Sequence, residues 1–258
     1  KLDSILEGTS RSFYLSLKEL PRAIRPQVSL LYMLARTSDT IADSEGGEPK
    51  ELMEALESYD DFTQGRSSDA PALSSFSRFQ TNKSEGLLLE NVEAVVSRIE
   101  GFSDSDQKAI RSCLGIIISG QILDLNRFSL TEEDIASIEK DDELDDYAYR
   151  VAGSVGEFWT RMSLNHLFKL DSEKEKEIFE KGVRFGKSLQ MINILRDIPS
   201  DLALGRCYIP RKSLEKHNLS PQDLLDKSKM ESFRPLYDEY LDLTSKYLES
   251  AIQYIEMI

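Results

Sequence analysis

From the first residues to the last, apolar side chains return every three or four positions, as in VSLLYMLARTSDTIAD (28–43) and YLESAIQYIEMI (247–258), while strand-like alternation is scarce. That spacing is the period of an α-helix with one buried face, so the chain is predicted to be all-α. Helices are expected near 3–7, 21–43, 48–63, 72–80, 84–100, 104–127, 131–138, 143–169, 172–200, 211–216, 221–228 and 231–258. Proline and glycine breaks such as GGEP (46–49), QGRSSDAP (64–71) and GRCYIP (205–210) separate them. No break is a long flexible linker and no repeat of 20–50 residues is visible, so a single domain is expected over 1–258.

At 258 residues and 40% hydrophobic composition, the chain has material for a sizeable core. Its 46 acidic and 32 basic residues give a net charge of −14, which repels a nucleic-acid backbone and discourages adhesion to anionic lipid. A polyanionic substrate would need cations to enter. Cys113 and Cys207 form no CxxC pair and no secretory signal precedes them, so a cytoplasmic protein with reduced thiols is expected. Apolar runs such as GIIISG (115–120) are far shorter than the ~20 residues of a membrane span. The sequence stops inside a helical pattern, which leaves a C-terminal anchor beyond Ile258 open.

Tyr32, Arg36, Asp39 and Asp43 fall within about 60° of one another on a helical wheel. Two carboxylates at i and i+4 repel unless a cation lies between them. Alone, such a pair is common on exposed helix faces. A second stripe changes its weight: Gly186, Gln190, Asn193, Asp197 and Asp201 follow at spacings of four, three, four and four. Amides and carboxylates are oxygen ligands suited to Mg²⁺, which keeps several waters and is shared with substrate phosphate. Two such helices facing each other would cage a magnesium-bound diphosphate.

Neither stripe holds His or Cys, which argues against zinc. His166 and His217 read as isolated structural or surface residues. No GxSxG, Walker phosphate loop or GxGxxG occurs. The acidic runs KDDELDD (140–146) and DSEKEKE (171–177) read as solvated helix starts. Pro199, between Asp197 and Asp201, is expected to kink or end its helix. That would displace Asp201 and leave Asn193 and Asp197 as the firmer ligands.

Four segments agree in order and spacing with one family: SRSFY (10–14), YMLARTSDTIAD (32–43), YAYRVAGSVGEF (147–158) and QMINILRDIPSDLALGRCYIP (190–210). The chain resembles the squalene/phytoene synthase family of head-to-head prenyltransferases. The resemblance implies an isoprenoid-synthase helical bundle around a central cavity. It implies Mg²⁺ on Asp39, Asp43, Asn193, Asp197 and Asp201. Diphosphate-binding residues implied alongside are Ser10, Arg11, Ser12, Phe13, Arg36 and Arg196, with Tyr147 acting in the first half-reaction; Tyr32 and Gln190, on the two stripes, are further candidate substrate-binding residues.

The residues suit that chemistry. A leaving diphosphate gains negative charge that metal ions and arginines stabilise, and the carbocation left behind needs a dry, aromatic-lined wall. Tyr147, Val151, Ser154, Val155 and Phe158 form such a face, and Gly153 and Gly156 turn away from it toward a close helix contact. Tyr147 is placed to give or take a proton; the plainer alternative is a packing aromatic. Arg206 reaches a phosphate or caps a nearby helix, and Asp124 in SGQILDLNRF carries a functional or purely structural acid.

The DTIAD form of the first motif favours farnesyl diphosphate and a product at presqualene diphosphate or squalene. Hydroxysqualene, dehydrosqualene, or phytoene from geranylgeranyl diphosphate are the neighbouring outcomes. NADPH would be needed for reduction to squalene. A transient membrane-surface contact for product release fits an apolar product, and a non-catalytic lipid-binding protein of the same fold is the reading from another class.

Overall fold

The computed structural model describes residues 2–10, 13–44 and 47–258, with the backbone alone at residues 2, 3 and 13. In chain order the helices are α1 (Leu2–Ser10), α2 (Phe13–Glu19), α3 (Arg25–Ala42), α4 (Pro49–Thr63), α5 (Ser74–Ser77), α6 (Lys83–Glu90), α7 (Val92–Val96) and α8 (Asp104–Asp124). A two-residue strand β1 (Ala136–Ser137) precedes α9 (Asp141–Ala148), α10 (Ser154–His166) and α11 (Ser172–Ala203). Strand β2 (Arg206–Cys207), α12 (Arg211–Lys216) and α13 (Met230–Met257) complete the order. The chain folds as two compact units, residues 1–122 with 161–169, and residues 123–160 with 170–258.

In the first unit α3 carries the apolar stripe read from its sequence: Leu30, Leu31, Leu34 and Ile41 are buried against Leu56 and Tyr59 of α4 and Leu88 of α6. Each fully buried side chain of this size contributes roughly 1.5–3 kcal/mol. The Tyr59 hydroxyl donates to the Leu34 carbonyl at 3.0 Å, so its polar tip is satisfied inside the core. Pro26 enters α3 in its first turn and Pro49 opens α4, positions where a missing N–H costs nothing.

His166 is not isolated. Its Nε2 lies 2.9 Å from both oxygens of Asp106, which also accept from Gln27 at 3.1 Å and Asn165 at 3.4 Å. Asp106 lies just under the surface, covered by these side chains. Burial pushes its carboxyl up, but the hydrogen bonds from Gln27 and His166 outweigh this and hold it below the usual range. Its stabilising effect is therefore complete above the unfolded carboxyl pKa of about 3.9 and fades as pH falls through the lower folded value. Asp106→Asn is expected to cost ~2 kcal/mol at pH 7, a loss that shrinks below about pH 4. Thermal melts across pH test this, and a loss independent of pH would show that the charge is irrelevant.

In the second unit α11 packs along α13, burying Ile194, Leu195, Leu236 and Tyr240. Close approach is built from glycine: a Cβ on Gly156 of α10 would sit 2.0 Å from the Gly182 carbonyl of α11, and one on Gly186 would sit 2.1 Å from the Ala152 carbonyl. The contact expected at Gly156 is present. Gly186, placed by spacing at the head of the second polar stripe, is a packing residue.

Several expectations are corrected. Residues 131–138 are not helical; Ile135, Ala136 and Ile138 are buried in an extended segment, where β1 pairs in parallel with β2. The segment 84–100 breaks at Asn91, whose side chain turns back to the Leu87 carbonyl. A helix over Phe13–Glu19 had no clear period of its own in the sequence. Pro199 does not end α11, which continues to Ala203. One lost donor is tolerated because Leu195 and Leu202, on either side, are anchored in the core.

Candidate active site

The first aspartate pair lies at the C-terminal end of α3. Asp39 is in the last turn and Asp43 is the C-cap residue, its N–H bonded to the Asp39 carbonyl at 2.9 Å. Carboxylates are disfavoured at this end of a helix, and α3 has no basic residue in its last turn to compensate. Burial pushes the Asp39 carboxyl up to about 6, opposed by Arg36 and reinforced by Asp43. Arg36 Nη1 stands 3.9 Å from Asp39, and Gln121 of α8 donates to Asp39 at 2.7 Å. Arg36 Nε and Gln121 Oε1 are both buried without a hydrogen-bond partner. A donor and an acceptor held idle beside two crowded carboxylates suit a phosphate oxygen and a hydrated cation.

The second pair repeats the device. Asp197 and Asp201 sit in the last two turns of α11, again with no basic residue in the final turn. Burial and the charge of Asp197 raise the Asp201 carboxyl, with Arg206 opposing. Because α11 runs on through Pro199, Asn193, Asp197 and Asp201 keep their stripe, and the reason for ranking Asp201 below its neighbours disappears. Asp197 is gripped by Arg196 in a two-pronged pair at 2.7 and 2.6 Å, which lowers its carboxyl. Among the described residues no three acids, histidines or cysteines gather into a closed cage. The donors fit Mg²⁺ held by two carboxylates, with remaining positions left to water and phosphate.

Tyr147 ends in a buried polar chain. Its ring stacks on Tyr208 at 4.8 Å, its hydroxyl donates to the Tyr208 hydroxyl at 3.3 Å, and Tyr208 donates to Asp124 Oδ2 at 2.5 Å. Burial pushes the Asp124 carboxyl up to about 6. Both ends of the chain adjoin π-helical turns, residues 125–129 after Asp124 and 149–153 after Tyr147. Such turns insert one residue into a helix and recur at functional sites. The turn at 149–153 also shifts the face inferred from simple spacing: Ser154 and Phe158 are buried, while Val151 and Val155 stay partly open.

The other anticipated residues divide. Tyr32 and Arg36 are joined, Arg36 Nη2 donating to the Tyr32 hydroxyl at 3.3 Å. Ser10 is buried with its hydroxyl donating to the Leu6 carbonyl. Arg11, Ser12 and the Phe13 side chain lie outside the described residues. Gln190 is half-buried. The charge of Arg206 acts on Asp124 and Asp201. Sequence spacing missed Gln121 and Tyr208, because each reaches its partner, 82 and 61 residues away, only through the fold.

The profile of the squalene/phytoene synthase family matches residues 6–258. A 15-cis-phytoene synthase of Synechocystis sp. is 26% identical over 251 residues, covering 94% of this chain and 64% of the relative. A presqualene diphosphate synthase of Zymomonas mobilis is 29% identical over 221 residues, covering 86% and 63%. The chain thus spans less than two thirds of these relatives. The squalene synthase HpnC of Alicyclobacillus acidocaldarius superposes with a TM-score of 0.68 at 18% identity, covering 99% of this chain and 82% of that one, which shows the shared isoprenoid-synthase all-α fold. With its helical architecture and a profile match over nearly its whole length, the chain belongs to the squalene/phytoene synthase family.

Proposed function

We propose that the protein is a Mg²⁺-dependent prenyltransferase that joins two farnesyl diphosphates head to head, through presqualene diphosphate toward squalene. The observation that carries the reading is the repeated placement of an aspartate pair at the C-terminal end of a helix whose last turn holds no basic residue. Bound there, Mg²⁺ would neutralise a departing diphosphate.

The chain's own residues supply the rest. Arg36 presents an idle buried Nε toward an anionic oxygen, and Gln121 orients the Asp39 carboxylate. Arg196 fixes Asp197, and Arg206 adds positive charge near Asp201. Tyr147 is the proton-handling group, held by its stack on Tyr208. As the double bond of one substrate attacks the allylic cation of the other, loss of one proton closes a cyclopropane. The relatives include both a presqualene diphosphate synthase and a phytoene synthase. Geranylgeranyl diphosphate is therefore the competing substrate.

Purified protein with Mg²⁺ and either farnesyl or geranylgeranyl diphosphate, each with and without NADPH, is expected to convert the farnesyl substrate to presqualene diphosphate, and to squalene where NADPH is used. Mass spectrometry identifies the products. Phytoene from the longer substrate alone would move the substrate assignment. No product from either would favour a lipid-binding role.

A further inference from the structure

The chain Tyr147, Tyr208, Asp124 has a direction. Each hydroxyl carries one proton, and as placed Tyr147 donates to Tyr208 and Tyr208 to Asp124 Oδ2. With Asp124 ionised, both protons point toward the carboxylate, and the lone pairs of Tyr147 are left for an incoming proton. With Asp124 protonated the sequence reverses, and Tyr147 has a proton to give. A hydrogen-bonded series of this kind has two polarities, and one charge at its end selects between them.

The surroundings suit a carboxyl that changes state. Its second oxygen, Oδ1, is buried with no partner. Tyr147 and Tyr208 face Asp124 directly, and Arg127 and Arg206 act on it through their charge. Arg127 is itself paired with Glu143 at 3.0 Å. Burial wins over these groups and brings the carboxyl to about 6, close enough to neutrality for proton exchange in either direction.

We propose that Asp124, acting through Tyr208, sets whether Tyr147 takes or gives a proton during prenyl transfer. Asp124 and Tyr208 are positioning residues, and the proposal rests on the prenyltransferase reading for the role of Tyr147. As the cyclopropane closes, a C–H bond of the cation breaks and its electron pair becomes the ring bond. The released proton bonds to the Tyr147 oxygen. The former Tyr147 proton passes to Tyr208, and that of Tyr208 to Asp124. Two neutral phenols and a neutral carboxylic acid remain. The reverse sequence delivers the proton to a diphosphate oxygen and restores the carboxylate.

Two measurements test this. In the substrate-free protein, carbon-detected NMR follows the Asp124 carboxyl, assigned by its loss in Asp124→Asn. Tyr208→Phe and Tyr147→Phe each remove a hydrogen bond that favours the ionised carboxyl, so each is expected to raise its titration midpoint. In turnover, Asp124→Asn and Tyr208→Phe are each expected to lower kcat about 10²–10⁴-fold, with KM within about threefold of wild type. Their double variant is expected to be no worse than the poorer single, because the residues act as one chain. An Asp124 midpoint unmoved by Tyr147→Phe, or wild-type kcat in Asp124→Asn, overturns the relay. Coupled titration in a wild type that converts neither prenyl diphosphate would overturn the prenyltransferase reading and the catalytic use of the chain with it.

Discussion

Replacing Asp39 with asparagine is expected to lower prenyl-diphosphate turnover by ~10³-fold or more while raising the melting temperature of the metal-free protein at pH 7. The two effects have one cause. Burial lifts the Asp39 carboxyl to about 6 from its ordinary 3.8, so the folded chain binds this proton more tightly than the unfolded chain does. Stability is consequently lost as pH rises from about 4 through 6, and the full penalty is present at pH 7. Asparagine removes the charge and keeps an oxygen for Gln121. The side chain retains 42% of its accessible surface, so water screens part of the penalty. A gain of no more than about 2–4 °C follows for a chain of this size. Mg²⁺ should raise the melting temperature of the wild type and not of the variant. Unimpaired turnover in Asp39→Asn would remove Asp39 from the site; a metal-free melting point below wild type would contradict the buried-charge account.

The first motif was legible because its helix is regular. From Tyr32 to Ala42 every residue is α-helical and Asp43 caps the helix, so an angular argument from sequence sets Tyr32, Arg36 and Asp39 on one face with Asp43 at its end. The segment after Tyr147 is less legible for the opposite reason. A π turn over residues 149–153 inserts a residue, and no local propensity announces it. At Pro199 the local rule spoke clearly and was overridden, since the hydrophobic anchoring of α11 on both sides outweighs one missing hydrogen bond. Residues 131–138 show the commonest ambiguity: IASI reads equally as a helix turn or a buried strand, and pairing with Arg206 and Cys207, 70 residues away, decides it. Contacts made through the fold, such as Gln121 to Asp39 and Tyr208 to Asp124, carry no trace in spacing at all.

The largest effect on stability is expected at Gly156. A methyl group there would stand 2.0 Å from the carbonyl oxygen of Gly182, a backbone atom in the middle of the 32-residue helix α11. Neither side can yield as a flexible side chain would, so Gly156→Ala must push α10 and α11 apart along their contact. The separation would also strain the bond between Thr160 and Tyr254, whose hydroxyls lie 2.9 Å apart beside the same contact. Overpacking of this kind costs about 3 kcal/mol, a fall of about 6–12 °C in a chain of this size. Gly115→Ala is the matched control: its Cβ would meet the side-chain amide of Gln64 at 3.1 Å, a side-chain end held by hydrogen bonds and not a backbone atom, so it is expected to cost much less than Gly156→Ala, offset in part by the helix propensity of alanine. Calorimetric melting of the two variants decides the matter, and equal melting temperatures would show that the helix pair is not held at glycine distance. Because Tyr147 reaches α10 through the intervening π turn, a Gly156→Ala protein that still folds should also lose turnover, through displacement of the phenol without loss of any polar group.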